Sequence, residues 1–221
     1  MRSVISVMKE SKLFEGFSLE DCQTIYSLLE PKSKLLAKDQ ILIQDGDRVD
    51  YVGMICKGKI VTAKLDYEGG AGLLYVLEPP KLFGLEIAAT PSQISSITVT
   101  SAEESEVVCF PYADLTTGQK LPEDFRNKLM QNMLTVLANE NMRRMYKIEV
   151  LGKRKLRDRI LTYLRFQARK KGSMTFSIPF NREQLAQYLN VNRSALSHEL
   201  SLMQQEGLIS FTRNRFTLHE K

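Results

Sequence analysis

Short apolar runs separated by turn signals fill the chain from about residue 33 to residue 112. The runs are rich in β-branched and aromatic residues and occupy positions 41–43, 51–56, 60–65, 73–77, 97–100 and 107–110. The turns between them carry glycine or proline, as at Asp45-Gly46, Lys57-Gly58, Glu68-Gly69-Gly70 and Pro79-Pro80. Strands this short and this regularly spaced are typical of a sandwich or barrel. The pattern therefore predicts a β domain.

The pattern of the first thirty residues is that of short helices. Ser18 is a candidate N-cap, and Asp21 three residues later partly completes a capping box. Pro31 ends this segment, because proline cannot continue a helix.

A long helix is predicted over residues 123–151, which contain neither glycine nor proline. One set of positions recurs at alternating spacings of four and three: Met130, Leu134, Leu137, Asn141, Arg144, Ile148 and Leu151. This heptad pattern is typical of a two-stranded coiled coil. At 1.5 Å per residue the helix is about 40 Å long. We favour a dimer through residues 123–151 over the alternative, a helix that only packs on the β domain, with Gly152 as a hinge before the next helix, 153–171.

Residues 181–218 have the pattern of a winged helix-turn-helix. Asn181 caps a first helix that runs from Arg182 to Leu189, and Asn192 caps a second from Arg193 to Glu206. Gly207 ends the second helix. Two strands then flank the turn at Arg213-Asn214.

The second helix of such a motif presents its first turns to base edges in DNA. The candidate base-contacting residues are Arg193, Ser194, Ser197 and His198. Candidates for phosphate contact, which positions the protein without selecting sequence, are Asn192, Gln184, Arg182, Arg213 and Arg215. Because arginine pairs with guanine through two hydrogen bonds, we expect one firm guanine contact from Arg193.

The distribution of charge supports this assignment. The net charge is +5. Residues 1–121 carry 12 Lys+Arg and 17 Asp+Glu, whereas residues 122–221 carry 19 Lys+Arg and 9 Asp+Glu. The basic half coincides with the helix-turn-helix, so double-stranded DNA is the expected partner.

Several classes of protein lack support. No apolar run is long enough to span a bilayer and no signal peptide is evident, so a cytoplasmic protein without a membrane partner is expected. Cys22, Cys56 and Cys109 form no CxxC pair, which disfavours a metal site or a disulfide framework. The two histidines are His198 and His219. A cupin-like enzyme needs histidine ligands on its strands, so this alternative is disfavoured and no enzyme activity is expected.

Two segments carry a family resemblance. The run Val191 to Leu200 (VNRSALSHEL) and the segment Leu82-Phe83-Gly84-Leu85-Glu86 resemble the Crp/Fnr family of bacterial transcription regulators, and the resemblance covers nearly the whole chain. It implies an α+β fold with a cupin-like, cyclic-nucleotide-binding-type β jelly roll (1–121), a dimerisation helix (122–151) and a winged helix-turn-helix domain (152–221). It also implies a homodimer on a two-fold symmetric DNA site, with RNA polymerase as a further candidate partner.

The resemblance places an effector pocket between the jelly roll and the long helix. The residues that it implies are Gly84, Leu85, Glu86, Ser95, Ser96, Leu137, Glu140 and Asn141. Family members that bind cyclic nucleotides hold the phosphate with an Arg-Ser or Arg-Thr pair. Ser95 and Ser96 stand there instead, so cyclic AMP is disfavoured as the effector.

Cofactors of other members are not expected either. Oxygen-sensing members bind an iron–sulfur cluster through several N-terminal cysteines, and this region has Cys22 alone. Carbon-monoxide-sensing members use a histidine to ligate haem in the β domain, but residues 1–197 contain no histidine. The expected effector is an unidentified small molecule, and the alternative is a constitutive DNA-binding regulator with a ligand-free β domain. At the DNA end, Ser194 and His198 replace the family's frequent glutamate and second arginine.

Overall fold

The structure is a computed structural model and describes residues 3–65 and 71–219. These residues belong to two compact units, Met1–Asn139 and Glu140–Lys221. The expected three-part division, with boundaries after residues 121 and 151, differs because it gives the long helix a part of its own. That division stays a prediction.

The first unit is built of short helices and strands. Its helices are α1 (Val4–Glu10), α2 (Leu19–Leu29), α3 (Leu85–Ala88) and α4 (Tyr112–Thr116), with a 3₁₀ turn at Lys12–Phe14. Its strands are β1 (Lys32–Leu36), β2 (Ile41–Ile43), β3 (Tyr51–Lys57), β4 (Ile60–Leu65), β5 (Ala71–Leu77), β6 (Leu82–Phe83), β7 (Thr98–Ser101) and β8 (Ser105–Pro111). Helix α5 (Glu123–Leu151) begins in this unit and ends in the second.

The second unit combines helices with a small sheet. Its elements are α6 (Leu156–Lys171), β9 (Thr175–Ser177), α7 (Arg182–Tyr188), α8 (Arg193–Gln205), β10 (Ile209–Thr212) and β11 (Arg215–Leu218). Within the described ranges, no helix is long and apolar enough to cross a membrane.

The strands of the first unit form two four-stranded antiparallel sheets. Their orders are β1-β8-β3-β6 and β2-β7-β4-β5. Each sheet alternates strands from early and late in the sequence, which is the topology of a jelly roll. The predicted jelly roll is therefore confirmed, although the turn Glu68-Gly69-Gly70 lies outside the described residues.

The central strands of the sheet β1-β8-β3-β6, β8 and β3, are buried on both faces. On strand β3, Val52 and Met54 face a core shared with α1, α2 and α5, whereas Ile55 faces the interior between the two sheets. Strand β8 alternates in the same way. Because neither face meets water, these strands are almost continuously apolar rather than alternating. The interior between the sheets is filled by Leu36, Ile43, Val49, Ile55, Ile60, Phe83, Ile87, Val99, Val107 and Cys109.

The N-terminal segment is fixed to the first half of α5. The Ser18–Asp21 capping box at the start of α2 is present as predicted, with both reciprocal hydrogen bonds. Asn132 on α5 donates from Nδ2 to the carbonyl oxygens of Leu13, at 2.9 Å, and Glu15, at 3.0 Å. Leu129 and Met133 of α5 are buried in the same core as the N-terminal helices.

Most of the heptad positions of α5 are exposed, unlike Leu129 and Met133. Met130 is 47% exposed, Leu134 69% and Ile148 71%. Leu137 is half-buried because it packs against the core of the first unit. An apolar stripe of this size on one helix is unusual for a surface that faces water in the functional state.

Candidate nucleic-acid interface

The helix-turn-helix is built on one continuous core in the second unit. Leu185 and Ala186 of α7 and Leu196, Leu200 and Met203 of α8 are all buried in it, as their helical spacing predicts. Both N-caps are present. Asn181 accepts from the backbone N–H of Gln184 at 2.9 Å, and Gln184 completes the capping box.

The turn between α7 and α8 is short and held by backbone hydrogen bonds. Asn190 adopts the left-handed conformation, with φ of 54°, and the N–H of Val191 donates to the carbonyl of Ala186. Asn192 then caps α8, where its Oδ1 accepts from the N–H of Ala195 at 2.8 Å. Helix α8 therefore starts at Arg193, as predicted.

The predicted base-contacting residues form an exposed face at the start of α8. Arg193, Ser194, Ser197 and His198 are all exposed, whereas Leu196 and Leu200 between them point into the core. The Ser197 hydroxyl donates to the carbonyl oxygen of Arg193 at 2.8 Å. With its one donor in use, the Ser197 hydroxyl can only accept a hydrogen bond from a base. It is therefore a weaker and less selective base contact than the two-donor fork of Arg193.

Two of the predicted phosphate contacts also have structural roles. The Oδ1 of Asn192 and the Oε1 of Gln184 accept capping hydrogen bonds at their helix N-termini. Their amide NH₂ groups are the donors that a phosphate contact would use. Because helix N-termini carry partial positive charge, both caps lie where a phosphate is favoured.

The wing contains a strand that the sequence did not indicate. The sheet order is β10-β11-β9, and Phe216 of β11 pairs with Phe176 of β9. At the tip, Arg213 adopts φ of 54° and Asn214 exchanges hydrogen bonds with Ile178. The exposed side chains of Arg213 and Arg215 lie at this tip, where they are available to phosphate.

Arg182 is placed differently from the other predicted phosphate contacts. Its guanidinium carbon lies 4.5 Å from the centre of the Phe211 ring and 5.2 Å from that of Phe216. Burial lowers the pKa of Arg182. The side chain therefore joins the start of α7 to the wing by cation–π contact, a role that its position in the sequence did not reveal.

Two arginines at the start of α6 were also missed. Arg157 donates to the carboxylates of Glu199 on α8 and of Glu206, the C-cap of α8. Arg159 donates to the backbone carbonyls of Lys153 and Leu189. Their partners are 42, 49, 6 and 30 residues away in the chain. No local pattern in the sequence could have indicated the contacts to α7 and α8.

The residues implied for an effector pocket are divided between the two units. Gly84 to Glu86 form the start of α3, and Leu85 is buried in the same core against which Leu137 packs. Ser95 is buried and Ser96 is exposed in the first unit, whereas Glu140 and Asn141 lie in the second unit. Glu140 forms an ion pair with Arg143 at 2.9 Å.

Ser95 is occupied by its own turn. Its hydroxyl donates to the carbonyl of Ile97 at 2.7 Å and accepts from the N–H of the same residue at 3.2 Å. Its backbone pairs with residues 46 and 47. The buried hydroxyl is thus satisfied by the protein itself.

Comparison with known proteins agrees with this architecture. The model of the cyclic nucleotide-binding domain matches residues 33–117, and the model of the Crp-like helix-turn-helix domain matches residues 158–221. Similar structures include a CooA variant from Carboxydothermus hydrogenoformans, with a TM-score of 0.64 and 18% identity over 99% of this chain and 92% of that one. The regulator CLP of Xanthomonas campestris gives a TM-score of 0.62 and 14% identity over 91% and 100%.

The curated relatives are transcription regulators. The transcriptional activator FnrL of Cereibacter sphaeroides is 24% identical, with 81% of this chain and 73% of that protein aligned. The anaerobic regulatory protein of Haemophilus influenzae is 24% identical over 95% of this chain and 82% of its own length. With both domain models in this order and a helix-turn-helix whose base-contacting face is exposed, the chain belongs to the Crp/Fnr family of DNA-binding transcription regulators.

Proposed function

We propose that the protein is a homodimeric, sequence-specific regulator whose α8 enters the major groove of a two-fold symmetric DNA site. The observation that carries this proposal is the exposed face of Arg193, Ser194, Ser197 and His198 at the N-terminal end of a rigidly capped helix. Only residues at that end reach base edges when a helix-turn-helix docks.

The apolar stripe on α5 supports the homodimer. Met130, Leu134 and Ile148 recur at coiled-coil spacing and lie exposed on the single chain. A second copy of the same helix would cover them, and a dimer supplies the two α8 helices that a two-fold symmetric DNA site requires. Asn141, also exposed, would favour one register of the two helices.

Selection of bound fragments from a random DNA pool tests this proposal. We expect a palindrome with a conserved guanine in each half-site, because each protomer contributes one Arg193. Recovery of single half-sites without symmetry would contradict the dimeric mode. Recovery of no common sequence would contradict sequence-specific binding altogether. RNA polymerase as a partner stays a prediction.

We further propose that the effector is a small molecule other than a cyclic nucleotide. A buried phosphate needs a cationic partner, but Ser95 and Ser96 occupy the positions at which the family places it. The structure brings Arg48 close to this segment, where it donates to Gln93 Oε1 at 3.0 Å. However, Arg48 is exposed, whereas the next residue, Val49, points toward Gly84. Because successive residues of an extended segment face opposite sides, Arg48 points away from Gly84 and does not supply the missing cation.

An iron–sulfur cluster does not fit the cysteines of the chain. Cys22 lies in the core of the first unit, and burial raises the pKa of its thiol. A cluster needs accessible thiolates, several of them together. A haem ligated by histidine does not fit the β domain either, since His198 is the first histidine in the sequence. The same lack argues against a cupin-like metalloenzyme.

Calorimetric titration with cyclic AMP and cyclic GMP tests the exclusion of cyclic nucleotides. We expect no tight binding, and a sub-millimolar dissociation constant would contradict it. A thermal-shift screen of metabolites then tests gating, since a ligand that binds the folded state raises the melting temperature. If no metabolite raises it and the purified protein already binds its palindrome, the β domain serves dimerisation and the regulator is constitutive.

A further inference from the structure

Arg157, in the first turn of α6, binds two carboxylates at once, that of Glu199 on α8 and that of Glu206 at the C-cap of α8. Its Nε donates to Glu199 Oε1 at 2.7 Å, while Nη1 and Nη2 donate to the two oxygens of Glu206 at 2.6 and 2.8 Å. These are charge-assisted hydrogen bonds, and the pair with Glu206 is bidentate. The two carboxylates raise the pKa of Arg157.

The spacing of the two glutamates makes this contact specific to one orientation of α8. Glu199 and Glu206 are seven residues apart, which is about two helical turns, so both side chains lie on the same face. A planar guanidinium offers donors in fixed directions, whereas a lysine ammonium does not. A rotation of α8 about its axis, or a shift along it, would therefore break at least one of the contacts.

Arg159 extends the same connection to the other end of the motif. Its Nε donates to the carbonyl of Lys153 at 2.8 Å, and its Nη1 donates to the carbonyl of Leu189 at 3.2 Å. Leu189 is the C-cap of α7. The first turn of α6 is thus joined to the segment before it, to the turn of the helix-turn-helix and to α8.

We infer that Arg157 is a positioning residue for DNA recognition. It fixes the orientation of α8 through Glu199 and Glu206 and so determines where Arg193, Ser194 and His198 meet the base edges. This inference rests on the proposed function. Arg157 is not itself a phosphate contact in this proposal, because each of its three nitrogens donates to a carboxylate and the three side chains together carry a net charge of −1.

For the affinity of Glu206→Gln for its DNA site, a positioning role predicts a change opposite in sign to the one that surface charge alone predicts. Glu206→Gln removes one negative charge from the DNA-binding unit. If only charge mattered, the variant would bind every DNA more tightly, because phosphate attraction increases. If α8 instead loses its fixed orientation, affinity for the selected palindrome falls, on the order of tenfold, while affinity for random DNA stays equal or rises.

Matched controls separate the two explanations. Glu183→Gln makes the same change of charge at an exposed residue of α7 that has no ion pair with Arg157. Arg157→Lys keeps the charge but loses the fork, and Arg165→Lys is its control at an exposed position of α6. We expect Arg157→Lys to lower specific affinity with an unchanged salt dependence and an unchanged melting temperature, and Arg165→Lys to have no such effect.

The experiment measures the ratio of specific to non-specific affinity for these variants in full-length protein. A reduced ratio in Glu206→Gln and Arg157→Lys, but not in their controls, supports the inference. Wild-type binding to the palindrome with all variants equal to their controls overturns the inference and leaves the proposed function intact. A wild-type protein with no preferred sequence overturns both.

Discussion

The ring of Phe83 lies directly over Gly53, on the neighbouring strand of the jelly roll. A Cβ atom at position 53 would be 1.9 Å from Phe83 Cζ. The two residues are also paired in register between β3 and β6. Phe83 is buried in the interior between the sheets, and its ring fits there because residue 53 has no side chain.

Gly53→Ala is therefore expected to destabilise the protein by about 1–3 kcal/mol, the usual cost of an overpacked core. Chemical denaturation of the full chain measures this change. Phe83→Leu supplies the control, because a smaller side chain leaves room for the added methyl group. The double variant should lose less than the sum of the two single changes. Additive losses would show that the contact does not set the requirement for glycine.

Sequence alone predicted the elements whose own residues carry a clear local pattern. The limits of β2 and β4 agree with runs of apolar, β-branched residues, and those of α5 with a segment free of glycine and proline. Strands β1 (KSKLL) and β9 (TFS) were missed because neither is a continuous apolar run. Four of the five residues of β1 are exposed, and β9 buries only Phe176. These strands form because a neighbour supplies their hydrogen-bond partners, which is a tertiary effect.

The residues of the candidate DNA interface also fall into those that the sequence could assign and those that it could not. Arg193 and its neighbours could be assigned because the helix-turn-helix has a local signature of caps and buried spacing. The roles of Arg157 and Arg182 could not, since their partners are distant in the chain. An exposed arginine and an arginine that fixes a helix have the same sequence pattern, and only their contacts distinguish them.

Buried Cys109 and half-buried Cys56 predict that the free energy of unfolding falls at high pH. Burial raises the pKa of Cys109 to about 11 and of Cys56 to about 12, from an ordinary value of 9.0. Above pH 9 the unfolded chain ionises these thiols while the folded protein keeps them neutral, so deprotonation favours unfolding. The stabilising contribution is complete below pH 9 and is lost as the pH rises through 11 to 12.

The free energy of unfolding of wild type and Cys109→Ala, measured by urea denaturation from pH 7 to 10.5, checks this prediction. We expect the variant to decline less steeply above pH 9, whereas tyrosine and lysine residues contribute equally to both proteins. Parallel curves for the two proteins would contradict it. Both thiols should also react slowly with iodoacetamide at pH 8 in the folded protein.

Arg182 is expected to stabilise the wing through its contact with Phe211. Arg182→Ala should lower the free energy of unfolding of the DNA-binding unit by about 0.5–1 kcal/mol, the size of an exposed to half-buried cation–π contact. A double-mutant cycle with Phe211→Leu measures the coupling of the two side chains. A coupling energy of zero would leave phosphate binding as the role of Arg182, with a salt dependence reduced by about one unit in the same variant.

Leu134 is expected to hold two protomers together. Leu134→Glu places a charge in the apolar stripe of α5, where 69% of the leucine surface is exposed in the single chain. The variant should sediment with half the mass of the wild type and bind a palindrome more weakly. Asn139→Glu, at an exposed position on the opposite side of α5, provides the charge control. Equal masses for wild type and Leu134→Glu would rule out α5 as the dimer interface.

Arg193 should determine one base pair in each half-site. It is exposed at the first position of α8, and a bidentate arginine–guanine contact discriminates by about 1–3 kcal/mol. Arg193→Ala should lose this amount at one G·C pair and bind sequences altered at that pair as well as the original. Arg213→Ala, at the tip of the wing, is the matched control and should weaken binding to all sequences alike, because a phosphate contact does not depend on the base. Binding-site selection with the two variants separates these outcomes, and the same preferred base at every position for wild type and Arg193→Ala would show that α8 does not use Arg193 to select sequence.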